Sequence, residues 1–93
     1  MSDIEIYSTA ICPYCVAAKN LLKAKSLQWR ELRIDRDPAA RAAMLERSGG
    51  RRSVPQIFVN GVHIGGFDEL AAAEHSGKLS QLLASAPQGS GPV

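Results

Sequence analysis

The sequence predicts an α/β domain: a mixed four-stranded sheet with helices on its faces. Two observations carry this. Apolar spacing switches between strand-like and helix-like in the order β-α-β-α-β-β-α along the chain. Between the last two strand-like runs stands Asn60-Gly61, the strongest short hairpin signal a sequence offers. A βαβ start implies two parallel strands joined by a right-handed crossover. The hairpin then adds two antiparallel strands.

Each element has a local cause. Ile4-Glu5-Ile6-Tyr7 alternates as a short strand. A turn from Ser8 to Ile11 leads to Cys12-Pro13-Tyr14-Cys15. Pro13 suits the first turn of a helix, where a missing N–H is not needed. From Tyr14 to about Lys25, Val16, Ala17, Leu21, Leu22 and Ala24 fall at helical spacing. Gln28 to Ile34 reads as a second strand, with Trp29, Leu32 and Ile34 apolar and the alternation imperfect. Asp37 and Pro38 form an N-cap and first helical residue. The helix runs on through Ala39 to Ser48 and stops at Gly49-Gly50. Gln56-Ile57-Phe58-Val59 and Val62-His63-Ile64 are the hairpin strands. After Gly65-Gly66, a third helix runs from Asp68 to His75, and Lys78 to Ala84 fits a fourth, short one. Trp29 and Phe58 are expected in the core, His63 and His75 at the surface.

Length and composition bound the class. The 93 residues suit one domain, assigned to 1–85, and 45% hydrophobic residues is too many for a disordered chain. The tail over 86–93 has the composition of a disordered segment. With 11 basic and 9 acidic residues, the net charge of +2 shows no clustered basic face for nucleic acid. No apolar run approaches the ~20 residues that span a bilayer. The first residues show no basic segment followed by an apolar core, so a cytoplasmic, monomeric protein without membrane or nucleic-acid partners is expected. In such a reducing compartment a lone cysteine pair points to catalysis or metal binding rather than to a structural staple.

The cysteine pair carries the chemistry. A thiolate, not a thiol, attacks a disulfide. Cys12 stands at or just before the first turn of a helix, where unpaired N–H groups and the helix dipole favour negative charge. Its pKa should therefore fall below the ~8.5 of a free cysteine. Cys15 lies one turn in, more enclosed, and is the natural resolving thiol. Tyr14 supplies an aromatic wall beside the exposed sulfur. Two buried structural cysteines would show the same spacing. A zinc site needs about four ligands, and His63 and His75 lack ligand spacing with the pair, so no metal is expected.

Two further stretches bear on binding. Ser53-Val54-Pro55 precedes a strand. A cis Val54–Pro55 bond would turn the Val54 carbonyl and N–H outward, ready to pair with an extended peptide. An ordinary trans proline at a strand edge is the alternative. Gly65-Gly66-Phe67-Asp68 lets backbone approach a ligand, with helix N–H groups for a carboxylate and the Asp68 side chain for an ammonium group. A plain glycine turn with a capping aspartate would look the same. Arg51 and Arg52 could meet a carboxylate, and Gln56 could donate a hydrogen bond to one.

Cys12-Pro13-Tyr14-Cys15, Ser53-Val54-Pro55-Gln56-Ile57-Phe58 and Gly65-Gly66-Phe67-Asp68-Glu69-Leu70 together resemble the glutaredoxin family, specifically its small bacterial dithiol members. The resemblance runs from about Ile4 to Leu83. It implies a thioredoxin fold, a cis Pro55, and glutathione as the reducing co-substrate. It implies Cys12 as nucleophile and Cys15 as resolving thiol, acting on disulfide-containing proteins and glutathione mixed disulfides. Tyr14, Val54, Pro55 and Gly66-Phe67-Asp68 would line the glutathione groove. Val54 would pair with the cysteinyl backbone; the Phe67 backbone and Asp68 carboxylate would hold the γ-glutamyl end.

Three residues depart from the family pattern. Thr9 stands where a lysine or arginine is usual, Ser53 where threonine is usual, and Phe67 where cysteine or serine is common. The first removes a positive charge near Cys12, for which Arg51 or Arg52 would have to compensate. Two other functions share this frame. A cluster-binding scaffold would hold iron and sulfur between two subunits, and Pro13 leaves little room for that. A thioredoxin-like carrier usually has Gly-Pro between its cysteines, which is absent here.

Overall fold

The computed structural model describes residues 3–84. Its elements are β1 (Ile4–Ser8), α1 (Pro13–Ala24), β2 (Arg30–Arg33), α2 (Pro38–Arg47), β3 (Gln56–Val59), β4 (Val62–Gly65), α3 (Phe67–Ser76) and α4 (Lys78–Ala84). The strands form one sheet in the order β2-β1-β3-β4. β1 and β2 are parallel, with α1 as the crossover, and the other two pairs are antiparallel. This is the mixed sheet of a thioredoxin fold. The boundary expected at 85 and the tail over 86–93 lie outside the described residues.

Strand alternation sends β1 and β3 side chains to two cores. Ile4, Ile6, Ile57 and Val59 pack with Ala18 and Leu22 of α1, Leu70 and Ala73 of α3 and Leu79 of α4. On the opposite face Tyr7 and Phe58 meet Ala40 and Met44 of α2 and Ile34. Each fully buried aliphatic or aromatic side chain contributes about 1.5–3 kcal/mol relative to exposure. The second face also holds Glu5, 9% exposed. A carboxylate in that position needs cationic partners. It accepts from Arg47 Nη2 at 2.8 Å and Arg30 Nη2 at 2.6 Å. The Arg47 guanidinium also lies 4.0 Å from the Phe58 ring centroid, a cation–π contact.

β2 is shorter than the 28–34 stretch expected, because it is an edge strand with one partner. Trp29 precedes it and packs, half-buried, on the first core, while Leu32 and Ile34 reach the second. The odd spacing between Trp29 and Leu32 sends them to opposite faces, which explains the imperfect pattern. At the hairpin tip Asn60 and Gly61 have φ of 50° and 83°, the left-handed pair of a two-residue turn. Buried Asn60 accepts from Asp3 N at 2.7 Å and donates from Nδ2 to Leu82 O at 2.8 Å. It thereby ties the start of β1 and α4 to the turn.

The β3–β4 register slips by one residue. Phe58 pairs with His63 but Ile57 pairs with Gly65, leaving Ile64 as the extra residue of a bulge. The bulge delivers Gly65, at φ +121°, against the first turn of α3. A Cβ there would sit 2.6 Å from Glu69 Oε1 and 3.1 Å from Glu69 Cβ, so any other residue is strained and must displace Glu69.

Candidate active site

Cys12 is the N-cap residue of α1, with extended backbone (φ −153°, ψ 96°) and Pro13 next in line. Its Sγ takes the place of a capping oxygen and accepts from Cys15 N at 3.1 Å. The Cys12 carbonyl accepts from Val16 N at 3.1 Å and opens the helical ladder. The sulfur therefore lies on an unpaired helix N–H, the environment that favours a thiolate when the pair is reduced. The structure holds Cys12 and Cys15 as a disulfide with Cα atoms 5.1 Å apart. Cys12 is 9% exposed and Cys15 only 1%, the order expected for an attacking and a resolving thiol. The loop ahead of Cys12 is pinned from β2's end: Asp35 accepts from Ala10 N at 3.0 Å. Arg33 forks onto the same carboxylate and holds it well below the usual range.

Opposite the pair lies the segment before β3. The Val54–Pro55 bond is cis. The Val54 carbonyl oxygen stands 3.7 Å from Cys12 Sγ. From there an open cleft of about 270 Å³ runs along Tyr14, Arg51, Ser53, Val54, Pro55, Gly66, Phe67, Asp68 and Glu69. The Tyr14 and Phe67 rings face each other across it at 6.4 Å between centroids, tilted by 31°. Phe67 thus replaces a small residue of the family pattern with half of an aromatic pair.

The fold brings seven of the residues singled out for binding to this cleft: Tyr14, Arg51, Val54, Pro55, Gly66, Phe67 and Asp68. Arg52 does not line it. Gln56 requires a correction: its side chain is fully buried, and its Nε2 donates to Ser53 O at 3.0 Å and Ser53 Oγ at 3.2 Å. Its amide is spent inside the wall and does not face a ligand. His63, expected at the surface, is half-buried, stacked on Phe58 at 4.8 Å and bonded to Gln56 Oε1 at 2.7 Å. Burial and the nearby Arg51 cation lower its pKa. Thr9 does not line the cleft; its Oγ1 turns back to Ile11 O at 3.5 Å.

Glu69 is the site residue that sequence reasoning missed. Its Oε1 accepts from Gly66 N at 2.6 Å, closing the start of α3 in place of the capping Asp68 of the alternative reading of this turn. That bond holds the Glu69 carboxyl below its ordinary pKa, against a smaller effect of burial. The same oxygen lies 3.5 Å from Arg51 Nη2. A glutamate at the third helical position after a glycine was the available signal. Among the described residues, no cluster of three or more histidine, cysteine or acidic side chains could hold a metal ion. No helix among the described residues is long and apolar enough to cross a membrane.

Comparison with known proteins agrees with this geometry. A family model described as glutaredoxin matches residues 4–64. Glutaredoxin 3 of Escherichia coli strain K12 is 48% identical over 83 residues, covering 89% of this chain and 99% of that one. The solution structure of a Brucella melitensis glutaredoxin is 48% identical with a TM-score of 0.74, covering 87% of each chain. A crystal structure of a buckwheat glutaredoxin–glutathione complex is 30% identical with a TM-score of 0.78, covering 88% of this chain and 76% of that one. With its cysteine pair capping α1 beside the Val54–Pro55 wall, the chain belongs to the glutaredoxin family, whose members are generally thiol–disulfide oxidoreductases.

Proposed function

We propose that this protein uses glutathione to reduce protein disulfides and glutathione mixed disulfides through Cys12 and Cys15. The observation that carries the reading is the junction of two features. Cys12 Sγ sits on the Cys15 N–H, and it stands 3.7 Å from the carbonyl of Val54, which lines a cleft with an arginine and acidic side chains along its walls. Glutathione is a thiol peptide with two carboxylates and one ammonium group, and Arg51 and Asp68 match those charges. The buckwheat relative, solved as a glutathione complex, supports the assignment of the ligand. In this reading Tyr14, Val54, Pro55, Gly66, Phe67 and Asp68 line the bound peptide. The Val54 backbone pairs with its cysteinyl unit.

The electrons balance in two routes. The Cys12 thiolate attacks the glutathione sulfur of a mixed disulfide; the substrate thiolate leaves and takes a proton. A second glutathione thiolate then attacks that sulfur, releasing glutathione disulfide and regenerating Cys12. With a protein disulfide, Cys12 forms a mixed disulfide with one substrate sulfur. Cys15 attacks Cys12 Sγ, the substrate leaves as a dithiol, and two glutathione molecules reduce the Cys12–Cys15 bond. We read the protein as a monomer of the cytoplasm, where reduced glutathione is abundant.

The test is reduction of the mixed disulfide of glutathione and 2-mercaptoethanol, coupled to glutathione reductase. Wild-type activity is expected, Cys12→Ser should abolish it, and Cys15→Ser should keep it, since that route uses one thiol. An inactive wild type sinks the proposal, and an inactive but folded Cys15→Ser sinks the one-thiol route.

A further inference from the structure

We propose that His63, acting through Gln56, is a positioning residue that sets the Ser53–Pro55 wall against Cys12. The chain of contacts is continuous. Gln56 Nε2 donates to the Ser53 carbonyl at 3.0 Å and to its hydroxyl at 3.2 Å. A backbone carbonyl can only accept, so the Gln56 amide nitrogen must face Ser53 and its oxygen must face the other way. That oxygen meets His63 Nε2 at 2.7 Å, so Nε2 carries a hydrogen. The imidazole in turn is stacked on Phe58 at 4.8 Å, and Phe58 is 1% exposed. Gln56 itself is fully buried, and no buried side-chain polar atom among the described residues lacks a partner.

The strut ends at the reacting sulfur. Ser53 leads into Val54, whose carbonyl lies 3.7 Å from Cys12 Sγ, and both residues line the cleft. His63 never enters that cleft. It works by fixing which way a buried amide points, and the amide fixes the segment a bound peptide pairs with. A leucine or valine at 56 would fill the same space without holding Ser53. The inference rests on the glutathione reading only in that the wall is taken to bind the peptide.

The experiment compares wild type, His63→Phe and His63→Gln in mixed-disulfide reduction, together with the imidazole ¹⁵N spectrum of the wild type. Phenylalanine keeps a ring on Phe58 and deletes the N–H donor; glutamine keeps a donor at similar reach. One lost hydrogen bond corresponds to about fivefold. His63→Phe should raise KM for the mixed disulfide by about that factor with kcat within about twofold, and His63→Gln should restore it. An unchanged KM in folded His63→Phe overturns the proposal, as does an equal rise in His63→Gln. If His63→Phe does not fold, the spectrum decides: a hydrogen on Nε2 supports the strut, and a bare Nε2 overturns it. An inactive wild type with Nε2 protonated defeats the glutathione reading and leaves the strut standing.

Discussion

Replacing Gly65 by alanine tests how the turn into α3 is built. The backbone there has φ +121°, so any L side chain is strained, at about 1–3 kcal/mol. The added Cβ would also sit 2.6, 3.0 and 3.1 Å from Oε1, Cγ and Cβ of Glu69. Rotating the carboxylate tip leaves Glu69 Cγ at 3.0 Å, so the side chain must swing away about χ1, while the 3.1 Å contact with Glu69 Cβ stays and is met by a small backbone shift. The side chain then gives up its 2.6 Å bond from Gly66 N. A hydrogen bond to a charged group is worth about 1.5–3 kcal/mol. Glu69 is 48% exposed, so water recovers part of this and the lower end applies. The sum is about 3 kcal/mol. At about 4–8 °C per kcal/mol for a domain of this size, the thermal midpoint should drop by roughly 12–24 °C. Circular dichroism melts would read this directly. Gly77→Ala is the comparator: φ is +87° but nothing lies within 4 Å, so only the backbone term applies. In a Glu69→Ala background, which removes the Oε1 and Cγ contacts and keeps only the one with Cβ at 3.1 Å, Gly65→Ala should cost less than in the wild type and approach the cost of Gly77→Ala. Additivity of the two changes within about 0.5 kcal/mol would refute the clash. So would a Gly65→Ala loss no larger than that of Gly77→Ala.

Two further outcomes follow from the cleft. Glu69 has a folded pKa below its unfolded value, so its contribution is complete above about pH 5. It is lost as pH falls through the folded value. The stability gap between wild type and Glu69→Gln should be widest near neutrality and narrow as pH falls below the ordinary glutamate range; a gap constant across that fall would contradict the bond to Gly66 N. Arg51→Ala should raise KM for a glutathione mixed disulfide by about three- to tenfold at low salt, with the difference shrinking near 0.5 M salt as screening shortens. A salt-independent difference would remove Arg51 from the charged recognition.

The parts legible in the sequence are those decided by local chemistry. Pro13 and Pro38 mark helix starts and Asn60-Gly61 a two-residue turn, each because of its own backbone preference, and the structure has them there. The cysteine pair announces itself by spacing, and its cap on α1 follows from position alone. What stayed hidden depends on tertiary neighbours. Gln56 reads as a polar residue at a strand end, but pairing with Tyr7 on β1 and the His63 contact from β4 bury it. His63 reads as a surface residue because its partner Phe58 comes from the facing strand. The role of Glu69 needs the β4 bulge, which no periodicity reveals, since one extra residue only shifts the phase. Trp29 does pack on the first core, but it stands just ahead of the edge strand β2 and is only half covered.

The Asn60 clamp has a practical consequence for attaching this protein to something else. Asp3 is bonded beside the hairpin tip, Leu82 of α4 hangs from it, and Cys12 follows the far end of β1. The strand between has five residues, roughly 17 Å at the rise of an extended chain. A fluorophore or surface linker attached at Asp3 or at Ala84, the last residue of α4, is therefore anchored at the pole opposite the sulfurs. A label at that pole stands about one strand length from the sulfurs, which suits it to redox sensors or immobilised reagents.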